Sequence, residues 1–95
     1  MAADGERVEE QKKELQKIIS KRIERLCDER QITYYQLAYA SSIAMSSLMN
    51  IVDGASKNPG VYNIIKICDG LGMTLSEFFD TKEFEDLLID SRDEK

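Results

Sequence analysis

There is no histidine in these 95 residues, one proline, and two cysteines. Without histidine there is no Ser-His-Asp or Cys-His catalysis, no imidazole acid–base chemistry and no His-containing metal site. Cys27 and Cys68 lie too far apart for a zinc knuckle or a C-x-x-C redox pair, so both read as reduced core residues of an intracellular protein. No Gly-rich phosphate loop is present, and the chain is not expected to be an enzyme or to carry a cofactor or metal. No apolar run approaches the ~18–20 residues of a membrane span. The start, M-A-A-D-G-E-R-V-E-E, is charged and has no signal-peptide core, which points to the cytoplasm. One proline and five glycines are too few turn residues for a β-sandwich or barrel.

What is present is helical periodicity in one domain. An apolar share of 42% is enough for a modest core. Over 8–30, Leu15, Ile18, Ile19, Ile23, Leu26 and Cys27 recur in steps of three and four, one stripe of a helix. Its first half is nearly all charged, so residues 1–17 read as a solvated helical extension, with an arm packed on a partner subunit as the alternative. After a break at Gln31-Ile32, Thr33 with Gln36 forms a capping box that opens a short helix over 34–40. Ser41-Ser42 ends it. A third helix is expected over 44–53, with Ile43, Leu48, Ile51 and Val52 inward and Gly54 in a left-handed cap. A-S-K-N-P-G (55–60) is a loop, because Pro59 holds Asn58 extended. Val61, Ile64, Ile65, Cys68 and Leu71 space out a fourth helix that Gly72 caps. Thr74 with Glu77 is a second capping box before Leu75, Phe78 and Phe79, and Thr81 opens an acidic last segment with Phe84, Leu87 and Leu88. The fold class is all-α, five or six helices, in three parts: 1–17, 18–80 and 81–95.

The spacing over 34–53 is the most specific feature. Leu37-Ala38, Ile43, Leu48 and Ile51 fall where two short helices crossing at a tight turn need apolar or small side chains, the pattern of a helix-turn-helix. Met45, Ser46, Ser47, Met49 and Asn50 are left facing out. Short polar and flexible apolar groups suit a helix lying against major-groove base edges.

Residues 18–80 resemble the lambda-repressor-like helix-turn-helix family, of the Cro/repressor (XRE) type found in bacterial and phage regulators. The resemblance is carried by I-S-K-R-I-E-R-L-C-D-E-R-Q-I-T-Y-Y-Q-L-A, S-I-A-M-S-S-L-M-N-I-V-D-G, the loop K-N-P and I-I-K-I-C-D-G-L-G-M-T-L-S-E-F-F. It implies a five-helix domain and a transcriptional regulator, a repressor in the favoured reading, that binds a double-stranded DNA operator as a homodimer. Met45, Ser46, Ser47, Met49 and Asn50 are then the base-reading set. Thr33, Tyr34, Tyr35, Lys57 and Asn58 are the expected phosphate set, joined by backbone N–H groups at the starts of the second and fourth helices. Three positions depart from the family pattern: Tyr34 stands where glutamine is common, Ser42 where glycine is usual at the turn, and the second helix of the motif has no Arg, Lys or Gln.

Net charge is −5, unusual for a DNA-binding protein. By segment, residues 1–17 carry −1, 18–33 carry +1, 34–76 are neutral and 77–95 carry −5, so the deficit lies outside the motif. Spare apolar surface is expected only at Phe84, Leu87 and Leu88, favoured as the dimer contact, or at Val8 and Leu15 in the arm. The neutral motif and acidic tail also fit a second reading, a protein-interaction module such as an antitoxin-like or adaptor subunit. No membrane and no small-molecule substrate are expected.

Overall fold

The computed structural model describes residues 2–54 and 59–93, with side chains over 8–54 and 59–87. Six α-helices follow one another: α1 (Ala2–Arg30), α2 (Tyr34–Ser41), α3 (Met45–Val52), α4 (Val61–Leu71), α5 (Leu75–Phe79) and α6 (Lys82–Asp93). No strand occurs among the described residues. The first helix therefore starts earlier than its apolar stripe, because favourable propensity and charged i,i+3 pairs such as Lys12–Glu9 extend it outward.

The helices turn at three corners built alike. After α1, Gln31 is left-handed at φ 54, and the Ile32 N–H reaches back to Cys27 O at 3.0 Å. After α2, Ser42 is left-handed at φ 57, and Ile43 N–H reaches Ala38 O at 3.1 Å. After α4, Gly72 is left-handed at φ 70, and Met73 N–H reaches Cys68 O at 3.0 Å. Each is a Schellman-type end, and in each the next residue is apolar and packs on the core. Thr33 and Thr74 then begin α2 and α5 with reciprocal capping boxes, Gln36 N–H to Thr33 Oγ1 and Glu77 N–H to Thr74 Oγ1, both at 3.0 Å. At the second corner Ala44 has no side chain with which to cap α3.

The core is Ile19, Ile23, Leu26 and Cys27 of α1 against Leu37 and Ala38, Leu48 and Ile51, Ile64, Ile67, Cys68 and Leu71, and Phe78. Two expectations are corrected here. Ile65 is 45% exposed, and Ile67 takes the buried place on α4. Val61 and Leu75 also face outward. The closest packing is between α2 and α4. A Cβ on Gly70 would meet Ser41 N at 2.9 Å and Ser41 Cα at 3.1 Å, so only glycine lets the two backbones approach this far.

Two arginines of α1 close the ends of other helices. Arg22 donates from Nε to Phe78 O at 2.8 Å and from a terminal nitrogen to Glu77 O at 2.9 Å. Arg30 Nε donates to Leu71 O at 3.2 Å. These carbonyls lie in the last turns of α5 and α4, helix ends that favour a cation, and Glu77 O also accepts from the Asp80 N–H at 3.3 Å.

Candidate nucleic-acid interface

α3 is held from behind by its apolar side. Leu48 is fully buried and Ile51 nearly so, and the Ser20 hydroxyl of α1 donates to Val52 O at 2.6 Å, tying the C-terminal end of α3 to α1. Of the residues expected to read bases, Met45, Ser46 and Asn50 are exposed, while Ser47 and Met49 are half-buried. Ser46 and Asn50, both exposed, are an i, i+4 pair and lie side by side on the outer face, while Met45 and Met49 form the adjacent i, i+4 pair. The face is uncharged. What it offers is hydroxyls, one carboxamide and a flexible thioether, which matches donor, acceptor and methyl groups along the major groove.

The expected phosphate set divides. Thr33 is exposed, but its hydroxyl is occupied in the capping box. Tyr34 is half-buried against the core, and burial, with Glu24 next, holds its phenol above the ordinary value, so it is a neutral donor. Tyr35 is exposed on the outer side of α2, as is Tyr39 one turn later. Lys57 and Asn58 lie outside the described residues. At α4 the N-cap is Gly60, so among the described residues the first N–H groups of that helix have no side-chain cap; at α2 the Thr33 hydroxyl already takes one.

The tail is used differently from expectation. Phe84 is half-buried, 4.8 Å from the Phe79 ring and 6.3 Å from the Phe78 ring, and belongs to the chain's own core. Leu87 is half-buried, and the Leu88 side chain lies outside the described residues. Spare apolar surface is found instead on α4, where Val61, Tyr62 and Ile65 form one stripe at 65%, 69% and 45% exposure. Sequence reasoning missed this because four of the apolar residues of α4 fit one stripe with Ile65 almost as well as with Ile67. Both cysteines are buried, and burial raises each thiol above its ordinary value, the opposite of a reactive thiolate.

No cluster of potential metal ligands occurs among the described residues, and no helix there is long and apolar enough to cross a membrane. A family model for the Cro/C1-type HTH DNA-binding domain matches residues 22–83, from the second half of α1 to the start of α6. No curated protein and no solved structure matches. With the motif's two short helices, its turn, α4, α5 and the C-terminal part of α1 inside the matched region, the chain belongs to the Cro/C1-type helix-turn-helix DNA-binding family.

Proposed function

We propose that this protein is a transcriptional repressor that binds an operator as a homodimer, with α3 in the major groove. The observation that carries the reading is the outward face of α3, with Asn50, Ser46 and Met45 exposed above a buried Leu48–Ile51 seam. Asn50 is the one side chain there able to make paired hydrogen bonds to adenine, and Met45 suits a thymine methyl. Ser47 and Met49 flank them. Tyr35 and Tyr34, the open N–H groups of α4, and Thr33, Lys57 and Asn58 supply backbone contacts that set register without reading sequence. Repression follows from occupancy, since a domain of this size blocks its site by binding.

One α3 reads too few base pairs for a useful specificity ratio, and a two-fold axis places two of them about 34 Å apart on successive major grooves. The dimer contact in this reading is the α4 stripe of Val61, Tyr62 and Ile65, which is more exposed than the half-buried Phe84 and Leu87 of the tail. Replacing Ile65 with Glu is expected to shift the solution mass from dimer to monomer with the fold retained; a variant that stays dimeric rules the stripe out. The DNA reading is tested by electrophoretic shift of duplexes from the protein's own upstream region at stated salt.

A further inference from the structure

Three lysines of α1 stand in a row. Lys13, Lys17 and Lys21 are spaced i, i+4, i+8, are exposed, and form no ion pair among the described residues. Lys12, by contrast, turns to Glu9 at 3.9 Å. The row lines a groove of about 430 Å³ whose opposite side is the C-terminal end of α3, Val52 to Gly54. Gln16 and Ser20 lie between the two sides, and the Ser20–Val52 hydrogen bond fixes α1 against α3 there. Asp53 is the one carboxylate residue lining this groove, while Lys17 and Lys21 also border a second pocket with Arg22, Arg25, Glu14 and Glu83.

The shape of this groove selects its ligand. Three flexible point charges in a line offer no fork of donors for chelating one small anion. Each step along the row rises about 6 Å, so Lys13 to Lys21 spans about 12 Å, the axial rise of three to four phosphates on one strand of a duplex. A helix seated in the major groove is flanked by phosphates at its ends, and this row adjoins one end of α3.

We infer that Lys13, Lys17 and Lys21 form a phosphate-tracking row that holds the DNA backbone beside the C-terminal end of α3. The inference rests on α3 engaging duplex DNA. All three lysines precede residue 22, where the family match begins, Lys21 immediately so, and the row is therefore an addition made by the part of α1 before the match. It also answers the shortage of positive charge in the motif: the extension has a net charge of −1 as a segment, yet it presents its lysines along one groove.

The test compares the full chain with a Lys13→Gln, Lys17→Gln, Lys21→Gln variant on two duplexes of about 20 base pairs, one upstream and one of random sequence, across a salt titration. Each lost phosphate contact removes about 0.9 from the slope of log K against log salt. The triple variant is expected to lose two to three units of slope (about 0.9 each) and on the order of 10²-fold in affinity at about 0.1 M salt, equally on both duplexes. Lys66→Gln on α4 is the matched single-charge control and keeps the wild-type slope within about one unit. An unchanged slope in the triple variant overturns the row, as does a Lys66→Gln loss equal to that of the triple variant. A wild-type chain that shifts neither duplex overturns the reading of α3 itself, a result distinguishable because it precedes any substitution.

Discussion

Ser42 occupies the left-handed region, φ 57 and ψ 40, at the turn between α2 and α3. A Cβ there costs about 1–2 kcal/mol relative to glycine, and the strain is held by the two hydrogen bonds of the helix end and by Ile43 in the core. That the turn needs a left-handed residue was legible from its place in the motif; that Gln31 needs the same was not, since glutamine gives no hint of it. Ile67 was passed over for the same kind of reason, because neighbouring isoleucines at 64, 65 and 67 leave the sense of the stripe undecided until α2 packs on α4. The buried thiols make a prediction at this scale. Burial, assisted by Asp28 at Cys27, raises both above their ordinary value, with Arg30 and Arg22 acting weakly in the other direction. As pH rises through about 8.5 the unfolded chain releases these protons first, so the folded chain holds more of them and stability falls. Thermal melts between about pH 7 and pH 10 are expected to show a Tm that declines above about pH 8.5, with a shallower decline in a Cys27→Ala, Cys68→Ala variant. An equally steep decline in that variant would assign the alkaline loss to other groups.

The elements themselves were largely written in the sequence, because their signals are local. Both capping boxes, the left-handed Gly54 and Gly72, and the Thr81 cap on Phe84 N–H (3.4 Å) stand where residue types three apart or single glycines indicate them. What sequence could not supply is which helix meets which. Arg22 and Arg30 closing α5 and α4 join residues 41 to 56 apart, and Phe84 turned inward onto Phe78 and Phe79 once α6 packed on α1. The α2–α4 crossing shows the consequence most sharply. Ser41 is fully buried and its hydroxyl has no partner among the described residues, and Gly70 lies against its backbone. Gly70→Ala gains about 1 kcal/mol in helix propensity but forces the two backbones apart, an overpacking that costs about 1–3 kcal/mol or more. A net loss of about 1–2 kcal/mol is expected in urea denaturation. Adding Ser41→Ala recovers only part of it, since Ser41 N and Cα, not the hydroxyl alone, meet the new methyl. A Gly70→Ala chain as stable as wild type would show that the crossing has slack.

At the scale of the whole molecule, function comes from how an acidic chain distributes its charge. The net −5 resides chiefly in residues 77–95, on and around α6, while α3 is uncharged and the lysines of α1 line the groove beside it. In the proposed reading affinity and specificity are separated in space: the expected backbone contacts lie on α1, α2 and the start of α4, and the expected sequence-reading contacts on α3. The candidate site was legible from sequence in its α3 part, where the motif spacing fixes which residues point away from the core. Its α1 part was not, because an i,i+4 row of lysines reads the same whether it faces solvent or the end of another helix. The central claim, that the outer face of α3 reads sequence, is tested most directly by the ratio of affinities for upstream and random duplexes at one salt concentration, in wild type and in Asn50→Ala. Losing a bidentate adenine contact worth about 1–3 kcal/mol lowers that ratio by roughly 5- to 150-fold while random-duplex affinity stays near wild type. An Asn50→Ala protein that keeps the wild-type ratio, or a wild type with no preference between the duplexes, would contradict it.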